Sequence, residues 1–423
     1  MFFYIDTAGY ILMKIRTITL GIDLGNQADS SMQHEIGSFF SKANELFSKY
    51  NFETRTQRIA LPPFEVRNKT EDQTVLSTIE NVSVLCKDNG IRWFCVPFKT
   101  LGQDMQQLNA VAIEIANKYK NAFINYILTQ NNQLSLKSAL YAGKFIKLVS
   151  RLSENGIDNF RCGASFNCKA NGAYFPFTYH SGKNSFSIAL EITPIIVNTV
   201  KSNKNEPVEK IRDKIIDALL PIFIQIDKIS REIELITKIK YNGIDTSIAP
   251  HPEDPEHSVS YIVELLGIEV FGGYGSTFVT SFLTDILKNI VGMNLIKTIG
   301  FNGVMYSVLE DPAISKINKD KSVLSIEKLI LFSTVCACGL DMVPVPGDIS
   351  DDDIGSILLD VAALSNRLQK PLGVRLLPIP GKSAGQITDF DHDFLCNTKI
   401  VPTSNKSLSE NFFNSDKPFG YLS

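Results

Sequence analysis

The stretch 333–393 constrains the fold more than any other. It reads STVCACGLDMVPVPGD (333–348), SDDDIGSILLDVAALSNRLQ (350–369) and KPLGVRLLPIPGKSAGQITDFDHD (370–393). Physically this is a buried strand, a helix opened by three acids, and a second buried strand. Both strands close on the same stiff turn, Pro-x-Pro-Gly, at 344–347 and 378–381. Asp348 follows the first turn and Lys382 the second, so the paired strand ends predict the rim of a site. Three acids in the first helical turn suit the macrodipole and need no metal. Asp341 sits at the other end of its strand, and one of the two, Asp341 or Asp348, is expected to be structural.

The same alternation runs through the whole chain. Residues 14–22 read as a β-branched strand and 32–50 as a helix whose stripe is Ile36, Phe39, Phe40, Ala43, Leu46 and Phe47. A strand at 52–61 is stopped by Pro62 and Pro63. Helices are expected at 75–87, 103–128, 135–155, 208–236 and 325–338, and strands at 91–98, 159–166, 187–192, 238–244 and 301–309. The stretch 167–184 reads as irregular. The segment 248–258, with three prolines and five titratable side chains, cannot be regular either. Eight to ten strand candidates alternating with helices argue for a mostly parallel α/β arrangement. No linker divides it, so a single barrel-like domain over 13–402 is expected, with a doubly wound open sheet as the alternative. Residues 1–12 read as an N-terminal extension and 403–423 as a loose polar tail.

Composition narrows the function classes. A net charge of −3 over 423 residues lacks the basic footprint of nucleic-acid or anionic-membrane binding. Seven cysteines at scattered spacing, with no CxxC pair, fit neither a disulfide framework nor a structural zinc site, and point to a reduced cytoplasm. The apolar start carries an acid, lacks a basic region and is too short to span a bilayer.

Several residues could carry chemistry. Asp348 and Glu310 are candidate bases. Cys162 and His180 flank the irregular loop as a minimal nucleophilic pair, although a buried structural cysteine is the commoner outcome. Arg375, mid-strand, needs a carboxylate partner, which could be Glu310, Asp348 or a substrate. Lys382 is a second cationic contact. In FGGYGSTF (271–278), Gly273, Gly275, Ser276 and Thr277 could cradle an anion at a helix start. Phe278 occupies the third glycine position of a dinucleotide fingerprint and no Walker lysine follows, so no nucleotide cofactor is expected. Asp389 and Asp391, near His392 and Asp393, could ligate a hard divalent cation, against the commoner reading of a solvated turn. No HExxH helix occurs.

The phrases MKIRTITLGID, APHPEDPEHSVS, FGGYGST, GFNGVMYSVLEDP, CGLDMVPVPGD and KPLGVRLLPIPGKSAGQITDFD, in collinear order from about 13 to 400, resemble the family labelled domain of unknown function 711. PVPGD and LLPIPGK are its most specific parts. The resemblance implies a ten-stranded α/β barrel similar to that of pyruvate formate-lyase and other glycyl radical enzymes. It implies no settled activity. The tail offers only PFGYL, without the Arg-Val that precedes a glycyl radical site, and Cys336 and Cys338 lie in a helical pattern. The radical chemistry is therefore not expected, since a scaffold does not fix a function.

These features together predict a cytoplasmic enzyme acting on a small anionic metabolite by acid/base or metal-assisted chemistry. The alternative is a non-catalytic binding or regulatory protein on the same barrel, and a structural oligomer subunit stands behind both. Self-association is expected only because large α/β enzymes commonly show it.

Overall fold

In a computed structural model the described residues are 13–24, 30–130, 132–253, 255–404, 408–415 and 417–420. The expected extension, 1–12, lies outside them. The strands are β1 (Met13–Gly21), β2 (Phe52–Thr54), β3 (Gln57–Ala60), β4 (Trp93–Lys99), β5 (Ala122–Ile127), β6 (Thr129–Gln130), β7 (Gln133–Leu134), β8 (Cys162–Phe166), β9 (Ser185–Leu190), β10 (Lys240–Asp245), β11 (Gly339–Pro346), β12 (Leu372–Ile379) and β13 (Phe419–Gly420). Ten of them form one sheet in the order β10-β9-β1-β3-β4-β5-β8-β12-β11, with β2 beside the start of β1. The pairs are parallel except β1 with β9 and β8 with β12. Strands β13, β7 and β6 make a small separate sheet.

Parallel sheets are covered on both faces, so their strands read as continuous apolar runs. Here the period-2 alternation sorts each run into two cores. Phe94, Val96 and Phe98 of β4, with Ile124 and Tyr126 of β5, pack in the large cluster under the helices. Trp93, Cys95 and Phe123 face the other way, joining Phe160, Phe175, Met342, Leu377 and Ile379 in a smaller cluster. Helices Leu136–Val149 and Asp351–Leu368 sit very close, because Gly143 leaves its space to the Asp351 carbonyl, 2.6 Å from where a Cβ would stand. Among the described residues no helix is long and apolar enough to cross a membrane.

The organising unit has the predicted form: β11, helix Asp351–Leu368 capped by Ser350, and β12. Elsewhere the elements differ in instructive ways. The expected helix 103–128 ends at Lys118, and its second half is β5. Apolar residues go on recurring through the switch, and the short turn at 119–121 carries no Gly or Pro to mark it. The strand 52–61 breaks into β2 and β3 at Thr56, whose hydroxyl donates to the Arg16 carbonyl at 2.7 Å. The expected loose tail is partly docked, with Phe413 buried against Gly355.

Residues 301–309 form no ladder. The segment 297–308 instead makes isolated parallel bridges, Thr298 to Ile244, Val304 to Ile248 and Ser307 to Asp341. It hydrogen-bonds β10 (Ile244 N to Lys297 O, 2.9 Å) and β11 (Val308 N to Asp341 O, 3.0 Å). Buried Asp245 pins it by accepting from Phe301 N at 2.8 Å and Asn302 N at 3.1 Å. Gly300 has φ +85°, and a Cβ there would stand 2.1 Å from Asp245 Oδ2, so this position takes only glycine.

Candidate functional site

A cavity opens on the small-cluster face of the sheet, lined from many elements at once. Its interior, counted as positions open to the centre of a water molecule, is about 50 Å³. Strand β1 supplies Arg16, β3 supplies Arg58, β4 Trp93, β5 Phe123, β11 Asp341 and β12 Arg375. A register shift between Ile15 and Thr17 interrupts the alternation of β1 at Arg16. Bulges of this kind re-aim a side chain. The irregular 167–184 loop is no surface loop: Tyr174, Phe175 and Phe177 are buried and form part of the cavity wall. Room for it comes from Gly163 of β8 and Gly373 of β12, where a Cβ would meet the Phe177 ring at 2.9 and 2.6 Å.

One side of the cavity is a closed ionic knot. Arg375 Nε donates to Asp341 Oδ1 at 2.5 Å and Nη2 to Asp341 Oδ2 at 2.7 Å. Nη2 also reaches Glu310 Oε2 at 3.3 Å, and Nη1 donates to the Phe160 carbonyl at 3.2 Å. Burial raises the Asp341 pKa and Arg375 opposes it, while burial would lower that of Arg375 but the two carboxylates raise it. Every nitrogen of Arg375 is thereby engaged by protein. Glu310 Oε1, in contrast, has no hydrogen bond among the described residues, although Glu310 is only 8 % exposed.

The other side carries unmatched positive charge. Arg58 is 8 % exposed, and its one hydrogen bond among the described residues joins Nε to Thr56 Oγ1 at 3.2 Å. Among the described residues no carboxylate is within ion-pair reach, and its guanidinium lies 5.0 Å from the Trp93 ring and 5.2 Å from that of Phe175. Burial, then the charge of Arg16, pushes its pKa down. A guanidinium still keeps its proton near neutrality. Arg16 bonds the Pro250 carbonyl at 2.8 Å and likewise meets no carboxylate among the described residues. Arg55, behind them, is neutralised by Glu191 at 2.5 Å and Glu253 at 2.8 Å.

His251 completes the lining from the proline-rich segment after β10. It is 5 % exposed, and neither ring nitrogen has a hydrogen-bond partner among the described residues; Glu253 lies 3.7 Å from Nδ1. Burial, then Arg16 and Arg55, lowers its pKa to about 3, so the ring is neutral.

The residues singled out in the sequence scatter over the molecule. Glu310 and Arg375 meet in the cavity, joined by Asp341, which the sequence did not single out as a site residue. The two Pro-x-Pro-Gly turns are neighbours, linked by Gly347 N to Lys382 O at 2.9 Å. Asp348 is exposed beside them, and Lys382 pairs with Asp389 at 3.0 Å on the surface. Asp391 is exposed, and among the described residues no three His, Cys, Asp or Glu side chains converge to hold a metal ion. Cys162 lies in the large helix-side cluster, and burial pushes its thiol up to about 12. His180 is engaged elsewhere, by Asn171 Oδ1 at 2.9 Å and the Gly182 carbonyl at 2.8 Å. Gly273, Gly275, Ser276 and Thr277 form the turn opening helix Ser276–Gly292, where Ser276 Oγ accepts from Gly272 N. They do not line the cavity.

Sequence reasoning missed Arg16, Arg58, Trp93 and His251. One signal was available: Arg16 and Arg58 each place a charge inside a β-branched strand, next to Ile15 and Ile59.

A family model described as "Uncharacterised ACR (DUF711)" matches residues 10–398. UPF0210 proteins of Methanosarcina mazei and Syntrophotalea carbinolica are each 25% identical over 423 residues, covering 95% of this chain and 92% of theirs. The UPF0210 protein of Pyrobaculum arsenaticum is 30% identical over 220 residues, 51% of this chain and 49% of its own. With the match running across nearly all of its strands and all of its cavity lining, the chain belongs to the DUF711 family.

Proposed function

We propose that this protein is an enzyme that binds a small anionic metabolite in the central cavity and acts on it by proton transfer, without a glycyl radical. The observation that carries the reading is Arg58, a buried guanidinium with no carboxylate beside it among the described residues. Burying an unpaired charge is costly, and a ligand carboxylate or phosphate would supply the missing partner. Arg16 adds a second such contact. His251, with neither ring nitrogen hydrogen-bonded among the described residues, and Glu310 Oε1 are the groups left to contact the reacting atoms of a ligand.

The scaffold reading joins this one. We infer that 297–308 closes the ten-stranded sheet into a barrel of the pyruvate formate-lyase type, with the cavity in its interior. Its hydrogen bonds to β10 on one side and β11 on the other support closure. Gly420, the tail glycine, pairs with Gln133 in the small separate sheet and is absent from the cavity lining.

Calorimetric titration against small carboxylates and inorganic phosphate tests the binding step. Saturable binding to the native protein, lost in Arg58→Met and weakened in Arg58→Lys, is expected. Solvent deuterium wash-in to the bound anion, followed by NMR, tests the chemistry. Wash-in that His251→Asn abolishes supports an enzyme; tight binding without any exchange would leave the non-catalytic binder.

A further inference from the structure

We propose that the ligand of the central cavity is a small zwitterion, an amino acid whose carboxylate meets Arg58 and whose ammonium group meets Glu310. The inference rests on the anion-binding reading above and narrows its substrate class.

The cavity has two unsatisfied poles of opposite sign. Arg58 and Glu310 are each 8 % exposed, and each keeps a polar atom without a partner among the described residues: the terminal nitrogens of Arg58 and Oε1 of Glu310. They line one cavity yet form no ion pair with each other. Arg375 cannot serve as the anion's partner, since Asp341, Glu310 and the Phe160 carbonyl occupy its nitrogens. It also leaves the acidic side in surplus, with two carboxyl groups around one guanidinium.

A simple anion would satisfy Arg58, with Arg16 in the same lining, but would leave Glu310 Oε1 without a donor. A simple amine would satisfy Glu310 and leave Arg58 unmatched. A zwitterion satisfies both, and buried polar groups are stable only when paired. Aromatic rings connect the poles: Arg58 lies 5.0 Å from the Trp93 ring, Trp93 6.1 Å from Phe160, and Arg375 5.8 Å from Phe160. They offer an apolar wall for the carbon between the charged ends. Size agrees, because 50 Å³ holds roughly three to five waters, the space of about five or six heavy atoms.

The test is calorimetric titration of the full chain with glycine, L-alanine and β-alanine, each paired with its deaminated acid, acetate or propionate, and with methylammonium alone. The amino acids are expected to bind at least tenfold more tightly than the paired acids, and methylammonium not at all. Glu310→Gln should bring the ratio close to one while the acids still bind; Arg58→Met should lose both. Propionate binding as tightly as alanine to the unaltered protein would overturn the zwitterion and leave the anion reading standing. Failure of every carboxylate, amino or not, and of inorganic phosphate would remove both. The decisive comparison uses the unaltered protein, so a poorly folding variant cannot shelter the proposal.

Discussion

At the scale of single residues the cavity shows the difference between a paired and an unpaired buried charge. Arg375→Met strands Asp341 and Glu310, and is expected to cost about 3–5 kcal/mol in urea denaturation. Lys382→Ala, which breaks the surface pair with Asp389, should cost less than about 1 kcal/mol in the same experiment. Equal losses would contradict the burial argument. His251 gives a pH signature. Its folded-state pKa, about 3, lies below the ordinary 6.5, so below pH 6.5 the unfolded chain takes up a proton that the folded one refuses. The stability this group contributes is complete above pH 6.5 and is lost as the pH falls towards about 3. Arg16, Arg55, Glu253 and His257 face the ring and set this behaviour. His251→Asn should therefore flatten the fall of unfolding free energy over that window, and an unchanged slope would show that the imidazole takes its proton freely in the fold.

At the scale of elements, the parts legible in the sequence were those with a period and a punctuation mark. The unit 333–393 has both, and its strand, helix and strand stand where the pattern puts them. Helix 103–128 had a period without a stop signal, and half of it is a strand. The cavity was legible only where a charge interrupted an apolar run, as at Arg375. His251 was hidden in a proline-rich segment without periodicity, and the loop 167–184 gave no sign of running inward, because its burial depends on Gly163 of β8 and on Gly373 of β12, the second far along the chain. Those glycines make a prediction. Gly373→Ala drives a Cβ to within 2.6 Å of the Phe177 ring, so a loss of about 1–3 kcal/mol is expected in urea denaturation. Ligand affinity should fall with it, since Phe177 belongs to the wall. A variant as stable as the parent would show that the loop gives way freely.

For the molecule as a whole, the decisive contacts join segments far apart in the chain. Asp341 and Arg375 come from neighbouring strands, but Arg58, Trp93 and His251 reach them only when the sheet and the segment 297–308 are all in place. Asp245 holds that segment through two backbone amides. Asp245→Ala leaves both donors unpaired, each worth about 1–3 kcal/mol when buried. Hydrogen exchange is expected to quicken together along β10, β11 and 297–308, while β4 and β5 keep their protection. Loss of protection confined to 300–302 would mean that the two sheet edges hold without the segment.

Trp93 is the single tryptophan of the chain, and it stands in the cavity wall with Arg58 and Arg92 against its ring. Every photon of indole emission from this protein therefore originates beside the place where a ligand would sit. Charge drawn onto Arg58 should shift that emission directly, giving a label-free optical readout of occupancy that requires no engineered reporter.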